Sequence, residues 1–274
     1  MKIDNTLLAA STKLIALQSI PEWENELLSK APPVLWFGNS KSGKPKILTV
    51  GANPSRREFL EKSFSDKSVK KEIYETKYLL KKRFYHLSGN QSYKDIVQSK
   101  QLRDSIINSF DNYFETEPYT IWFGKNDANP YKVEAVLRGM QASYYNNPKD
   151  FNSKYQACHI DIFPFATISD FNKIKNITER DVLCNNWAKE LVDELITYFN
   201  PEKILVFGST NFHYFSEYFG IDNKPTDKSN CTIWNKIYKG CQLIGVSPNL
   251  GNPRNFDKQK LLELGKTLNN LPKK

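Results

Sequence analysis

Four short apolar runs, each followed by a polar turn, divide the chain into strand-length and helix-length segments. The runs occupy residues 46–50, 157–163, 203–207 and 242–246. Runs that are apolar throughout are typical of parallel strands, whose two faces are both covered by helices. The segments between them have apolar residues at helical spacing. The pattern therefore predicts an α/β fold in which helices cover both faces of a parallel sheet.

The remaining segments are predicted as helices, two short strands and a polar loop. Helices are expected at 5–18, 133–145, 176–200, 211–219 and 257–268, short strands at 34–37 and 119–123, and a polar loop at 220–241. Thr178 and Asp181 resemble a capping box at the start of the third helix. Residues 56–115 are charged and rich in lysine, with helices predicted at 56–64, 69–84 and 102–114. We expect one domain over 1–274, with 56–115 as a helical elaboration.

The charge balance favours an acidic partner without requiring one. The formal net charge is +9, from 39 lysines and arginines against 30 aspartates and glutamates. Nucleic acid is the commonest acidic partner of a basic protein. A lysine-rich solvated surface would give the same total, so charge alone leaves both interpretations open.

The cysteines and the hydropathy of the chain indicate in which cellular compartment the protein is found. The four cysteines, at 158, 184, 231 and 241, show neither CxxC pairing nor metal-ligand spacing, so we expect reduced thiols and no metal site. No apolar run approaches the ~18 residues of a membrane span. The N-terminus lacks the apolar core of a secretory signal. We expect a soluble, cytoplasmic protein without membrane association.

Two proline-containing turns carry the strongest functional signal. Gly-Ala-Asn-Pro-Ser at 51–55 follows the first apolar run, and Ser-Pro-Asn-Leu-Gly at 247–251 follows the last. In an open α/β sheet, ligands bind just beyond the carboxyl ends of the strands. The two turns are therefore predicted to contribute to one pocket.

These turns, together with the strand end His159-Ile160-Asp161, resemble the motifs of the uracil-DNA glycosylase superfamily. The motifs occur in the family's order over residues 46–256, each after a strand. The resemblance implies a three-layer α/β/α fold with a central four-stranded parallel sheet. It also implies a monomer that flips a base out of DNA and hydrolyses its N-glycosidic bond without a metal or cofactor.

The resemblance assigns catalytic roles to Asn53 and Ser247. Asn53 would orient a water against the sugar, because an amide positions water without being a strong base. Asn before Pro also caps turns, which is the structural alternative. Ser247 stands where the family has His or Asn and would donate to the base O2, unless it is only a turn serine. Ser55 replaces a Tyr that blocks 5-substituted bases, so its small size would admit a substituent at carbon 5.

Asp161 is the position that discriminates best between bases. The family commonly has Asn there, which reads the O4 and N3–H of uracil. A carboxylate accepts without donating, so it suits the exocyclic amine of cytosine, with a discrimination of roughly 1–3 kcal/mol. Cytosine N3 would then need a shared proton. The structural alternative is an Asp that caps the turn after the strand.

Further residues are assigned to the base pocket or to the DNA backbone. Gly51 and Ala52 would line the pocket with Asn53 and Ser55, and Phe84 would stack on the base, although a core role suits Phe84 as well. Leu250 would wedge into the base stack. Phosphate and backbone contacts are expected from Arg56, Arg57, Asn249 and Arg254. His159 is expected to be a satisfied core histidine.

Asp161 and Ser55 together indicate a cytosine with a bulky 5-substituent, because removal of ordinary cytosine would destroy the host genome. The expected substrate is hydroxymethylated or glucosylated phage DNA, as for a phage-restricting branch of the superfamily. Two alternatives remain at this point. One is a repair glycosylase for uracil or mismatched bases. The other is a non-catalytic DNA-binding or nucleotide-sensing module on the same scaffold.

Overall fold

A six-stranded sheet lies at the centre of the described part of the chain. The computed structural model describes residues 3–60, 83–169, 174, 176–178, 181–182, 185–227 and 231–273. The strands are β1 (Lys46–Gly51), β2 (Ala142–Ser143), β3 (Tyr155–Asp161), β4 (Lys203–Phe207), β5 (Ile233–Tyr238) and β6 (Cys241–Val246). Their spatial order is β2-β3-β1-β4-β6-β5.

The four predicted strands form the contiguous, parallel centre of this sheet. β3, β1, β4 and β6 are neighbours in that order, and every residue in them is buried, as expected for strands covered on both faces. The register pairs Gly51 with Asp161 and Phe207 with Val246. All four carboxyl ends therefore meet at one edge, which we call the carboxyl edge. The α/β class is confirmed.

The sequence pattern did not predict β2 and β5. The sheet therefore has six strands within the described residues, where four were expected. β2 has only two residues, too few to show a period. β5 lies in the expected polar loop and pairs antiparallel with β6 at the sheet margin. Its second half, with Lys236 and Ile237, is only partly buried. An edge strand with one solvated face has a weaker apolar signal than a central strand.

Helices flank the sheet and begin at side-chain caps in several cases. Asn185 accepts from Trp187 N before the helix that begins at Asn186, and Asp257 accepts from Lys260 N before the helix that begins at Lys258. These bonds satisfy amides that a helix start leaves unpaired. The described helices are α1 (Ile3–Gln18), α2 (Pro21–Glu24), α3 (Tyr93–Gln98), α4 (Lys100–Asp111), α5 (Thr120–Phe123), α6 (Lys132–Gly139), α7 (Asn186–Phe199), α8 (Ser209–Tyr218) and α9 (Lys258–Asn269), with short 3-10 helices at Arg56–Glu58 and Tyr113–Glu115.

Two predicted short strands are wrong. Residues 119–123 form the helix α5, in which Phe123 N donates to Tyr119 O at 3.1 Å, because a brief apolar run does not distinguish helix from strand. Residues 34–37 are irregular and meet the sheet through one bridge between Phe37 and His159. The helix predicted at 133–145 ends at Gly139, where the chain turns into β2.

The elaboration at 56–115 is described only in part. Its first predicted helix is replaced at 56–58 by a 3-10 turn, and residues 61–82, with most of the helix predicted at 69–84, lie outside the described residues. The helix predicted at 102–114 corresponds to α4. Farther along, Thr178 and Asp181 do exchange capping hydrogen bonds of 3.1–3.2 Å, although α7 itself begins at Asn186.

The described apolar side chains pack into one continuous core. Cys158, Cys231 and Cys241 are free thiols, and Cys184 lies outside the described residues. Among the residues described, no helix combines the length and apolar character needed to cross a bilayer.

Candidate functional site

Gly51 forms the floor of the candidate site at the carboxyl edge. It pairs with Asp161, and Thr49 pairs with His159, so these four residues share one face of the neighbouring strands β1 and β3. A Cβ atom on Gly51 would lie 2.5 Å from Asp161 Oδ1 and 2.9 Å from His159 Nε2. The missing side chain is therefore what allows Asp161 and His159 to lean over β1.

A buried hydrogen-bond chain begins at Asp161. Its Oδ1 lies 3.2 Å from His159 Nε2, and His159 Nδ1 lies 2.8 Å from Thr49 Oγ1. Thr49 Oγ1 lies 2.5 Å from the hydroxyl of Tyr144. All four residues are at most 3 % exposed. His159 was expected to be a satisfied core residue, and its two ring nitrogens do have partners, one of which is the carboxylate of the candidate site.

Asn53 is held in one orientation beside this centre. Its Nδ2 donates to Thr167 Oγ1 at 3.0 Å and, at longer distances, to the carbonyls of Pro54 and Phe165. Oδ1 has no hydrogen-bond partner among the described residues. The side chain is half-buried. The amide oxygen is thus the atom of Asn53 left to orient a water.

Glu58 is a second buried carboxyl in the site, and the motifs gave no signal for it. It is 3 % exposed, accepts from Tyr113 Oη at 2.5 Å and lies 3.7 Å from Arg83 Nη1. Burial raises the pKa of Glu58 to about 8, against the opposing effects of Tyr113 and Arg83. The negative charge of Asp161 raises the pKa further. Glu58 therefore holds a proton at neutral pH, and this limits like-charge repulsion with Asp161.

Ser247 joins the turn after β6 to the segment before β5. Its Oγ accepts from Thr232 N at 3.0 Å, and its own N–H donates to Thr232 O at 2.9 Å. The hydroxyl hydrogen remains as a donor. In the same turn, Asn249 is exposed and its Oδ1 accepts from Gly251 N at 3.1 Å, so Asn249 shapes the backbone of the turn.

Trp122 connects this turn to the centre of the site. A Cβ on Gly251 would lie 2.3 Å from the indole of Trp122, and the centroid of that indole lies 6.2 Å from the ring of Phe207. The Phe207 ring in turn stacks on His159 at 6.2 Å. The two turn motifs are therefore joined by side-chain contacts along the carboxyl edge. No sequence motif predicted the part played by Trp122.

Other residues assigned to the base pocket or to the DNA backbone lie near the first turn or are exposed. Ser55 caps the 3-10 turn by accepting from Arg57 N at 3.2 Å. Arg56 donates to the carbonyl of Ile168, which ties the first turn to the segment after β3. Arg57 donates to the hydroxyl of Tyr119 at 2.6 Å and is exposed, as is Arg254. Ala52 is half-buried, and its carbonyl accepts from Phe163 N at 2.9 Å.

Two expected roles are corrected by burial. Leu250 is 0 % exposed, so it cannot reach a base stack from this conformation, because the apolar turn residue packs inward. Phe84 is 5 % exposed and stacks on Tyr113 at 4.7 Å, with Phe59 and Phe37 also against its ring. Its faces are occupied by protein, and it belongs to the core.

No protein-family model matches this chain, and no curated protein matches it. Within the described residues, no group of three or more His, Cys, Asp or Glu side chains is placed to hold a metal ion.

Replacement of Gly51 by Ala tests the close approach at the floor of the site. The added Cβ would overlap Asp161 and His159, and such overpacking costs roughly 1–3 kcal/mol of unfolding free energy. Gly43→Ala is the matched control, because a Cβ there meets nothing within 4 Å. Denaturant unfolding measures the free energy of unfolding of both variants. Equal stability of the two variants would show that the approach is looser than described.

Glu58→Gln tests the proton on the buried carboxyl. Because the folded pKa is about 8 and the ordinary value is 4.5, wild-type stability should fall as pH rises through this interval. In Glu58→Gln the free energy of unfolding should fall less over the same pH interval, by an amount on the order of a few kcal/mol. Glu134, whose pKa burial raises to about 7, contributes to the same decline. Unfolding curves between pH 5 and 8 measure how the free energy of unfolding depends on pH. Glu22→Gln is the control, because Glu22 is exposed. An unchanged slope in Glu58→Gln would contradict the assignment.

Proposed function

We propose that this protein is a DNA glycosylase that removes a 5-substituted cytosine and leaves an abasic site. The observation that carries the proposal is that Asp161, the last residue of β3, lies directly beside Gly51, the last residue of β1, and that Asn53 follows Gly51 by two residues at the same edge. The strand order β3-β1-β4-β6 with the second turn after β6 supports a fold like that of the uracil-DNA glycosylases. DNA, and phage DNA in particular, is the proposed partner, with the protein acting as a monomer in the cytoplasm.

The reaction is hydrolysis of the N-glycosidic bond of a flipped base. Extrusion of the base from the duplex costs a few kcal/mol, which contacts in the site must offset. A water held by Asn53 Oδ1 adds its oxygen to the sugar C1′ as the bond from C1′ to the base breaks. The bonding electron pair leaves with the base, and the surplus proton of the water is released to solvent. Asn53 acts by orienting the water.

Recognition of cytosine falls to Asp161. Its Oδ1 is engaged by His159, while Oδ2 has no partner within the described part of the chain and would accept from the exocyclic amine. A proton taken up from solvent and shared between Asp161 and cytosine N3 makes the base a better leaving group, because the base keeps this proton and departs uncharged. Ser55 adds little bulk beside the first turn, since its hydroxyl is turned to the cap of the 3-10 helix. A side chain as small as Ser55 would admit a substituent at carbon 5.

Ser247 would stabilise the departing base from the other turn. Because Oγ already accepts from Thr232 N, the hydroxyl hydrogen is available to donate to the base O2 as negative charge develops there. The stabilisation would be weaker than that from an imidazole. The proton shared between Asp161 and N3 reduces the negative charge on the base O2 that Ser247 would stabilise.

The surface around the site suits a DNA backbone and a base stack. Exposed Arg57 and Arg254 would contact phosphates, which position the duplex. With Leu250 buried, another apolar side chain is needed as the wedge, and Ile121, which is 66 % exposed, is the most exposed large apolar residue in the described part of the chain. It precedes Trp122, the residue packed on the second turn. Ile121 is therefore the proposed wedge.

One panel of DNA substrates distinguishes the proposed function from the two alternatives. A repair glycosylase would release uracil or a mismatched base and spare 5-hydroxymethylcytosine and its glucosylated form. A binding module would release nothing. Mass spectrometry of free bases from duplexes that carry each base is the direct test, and the proposal predicts release of 5-modified cytosine with unmodified cytosine left intact.

Asn53→Ala tests the catalytic role. Loss of the water-orienting amide should lower base release by orders of magnitude while binding to DNA at low salt barely changes. Asn5→Ala on α1 is the control, because Asn5 is exposed. Abasic sites are quantified by cleavage of the product strand with alkali. Full activity in Asn53→Ala would remove Asn53 from the mechanism.

Ile121→Ala tests the wedge. Activity on duplex DNA should fall by about tenfold or more, because unstacking of a base costs a few kcal/mol, whereas activity on single-stranded DNA should hardly change. Ile237→Ala on β5, where Ile237 is 43 % exposed, is the matched control. An equal loss on both kinds of DNA, or no loss on duplex, would rule out this role.

A further inference from the structure

Three oxygen atoms surround the side-chain nitrogen of Asn53. Nδ2 lies 3.0 Å from Thr167 Oγ1, 3.2 Å from the carbonyl oxygen of Pro54 and 3.4 Å from that of Phe165. Two of these oxygens are carbonyls, which only accept hydrogen bonds. The third belongs to a hydroxyl, which can accept or donate. The other bonds of that hydroxyl therefore decide which end of the Asn53 amide it can meet.

The hydroxyl of Thr167 has one direction. Its Oγ1 lies 2.7 Å from the carbonyl oxygen of Ser169, which only accepts. The single hydroxyl hydrogen of Thr167 therefore points to Ser169, and only lone pairs remain on Oγ1 for Asn53. An amide turned by 180° would place Asn53 Oδ1 against three acceptors. The three oxygens thus hold Asn53 with its nitrogen, and not its oxygen, towards Thr167.

Thr167 is itself held between two other segments of the chain. Its backbone forms an antiparallel bridge with Leu27 and a parallel bridge with Ser55. The acceptor of its hydroxyl is fixed as well, because Ser169 N donates to Glu26 Oε2 at 3.2 Å. Thr167 is 4 % exposed. Burial and pairing on both sides therefore leave its hydroxyl little freedom to turn away from Asn53.

The oxygen side of the Asn53 amide is open. Within the described residues, Oδ1 has no hydrogen-bond partner and is not one of the buried polar atoms that lack one. Asn53 as a whole is half-buried. An amide oxygen accepts a hydrogen from a water and leaves a lone pair of that water free to attack the sugar. An amide nitrogen in the same place would donate to the water and occupy such a lone pair.

We propose that Thr167 is a positioning residue for the hydrolysis, which holds the Asn53 amide with Oδ1 towards the reacting water. This inference rests on the proposed glycosylase function. Thr167 acts through Asn53 and takes no direct part in the bond changes. The same three acceptors favour an amide over a carboxylate at position 53, because a carboxylate has no hydrogen to donate to them.

The test is the single-turnover rate of base release from a duplex with one 5-hydroxymethylcytosine, measured together with the Kd for that duplex. Thr167→Val keeps the shape of the side chain and removes the oxygen that accepts from Asn53. The rate should therefore fall about tenfold or more, while Kd changes by less than about twofold. Thr167→Ser retains the hydroxyl and should keep most of the rate. Thr12→Val on α1 is the control, because Thr12 is exposed.

A double-mutant cycle separates positioning from a purely structural role. If Thr167 acts through Asn53, then Thr167→Val added to Asn53→Ala should lower the residual rate no further, because the amide to be held is gone. A structural role would lower the rate by the same factor in both backgrounds, and that result would overturn the inference. So would a Thr167→Ser variant as slow as Thr167→Val.

A measurement on the wild-type protein covers the case in which Thr167→Val does not fold. The side-chain amide hydrogens of Asn53 are the pair of nuclear magnetic resonance signals absent from Asn53→Ala. They should exchange with water much more slowly than those of exposed Asn5, because Nδ2 is hydrogen-bonded. Exchange as fast as that of Asn5 would refute the proposed orientation.

The outcomes distinguish this inference from the function on which it rests. If the wild type releases no base from any duplex, the glycosylase function fails. If it releases 5-hydroxymethylcytosine at a rate that Thr167→Val does not change, only the inference about Thr167 fails.

Discussion

The close approach of Asp161 and His159 to the backbone of Gly51 is the constraint on which the rest of the site depends. Parallel pairing of β1 with β3 sets Gly51 opposite Asp161, and only a residue without a Cβ leaves room for both side chains above it. The same gap lets His159 stack towards Phe207. Because Phe207 contacts Trp122, and Trp122 covers Gly251, the second turn is positioned by the same arrangement.

The site combines two buried carboxyl groups with different surroundings. Glu58 receives a hydrogen bond from Tyr113 but lies deep enough for burial to dominate, and it keeps its proton at neutral pH. Oδ1 of Asp161 lies 3.2 Å from Nε2 of His159. Pairs of titratable groups with contrasting environments are typical of functional sites, although structural networks produce them as well. Here Glu58 is bonded to a phenol and Asp161 to an imidazole.

Sequence patterns could identify the four central strands and the two turns because apolar runs and proline turns are local signals. They could not reveal the hydrogen-bond chain through His159, since it passes through Thr49 on β1 to Tyr144 after β2. They also missed Glu58 and Trp122, whose importance lies in burial and in contacts distant along the chain. Leu250 was assigned an outward role, but its side chain is buried, and Phe84 has the core role that was weighed against stacking on the base. A motif gives the order of residues, whereas packing decides which way each one faces.

The most direct test of the account is a crystal structure of Asn53→Ala bound to a duplex that contains one 5-hydroxymethylcytosine. The account predicts that this base lies outside the stack at the carboxyl edge, with its exocyclic nitrogen about 3 Å from Asp161 Oδ2 and its 5-substituent on the side of Ser55. A base that remains stacked in the duplex, or one that is flipped but bound away from Asp161, would contradict it.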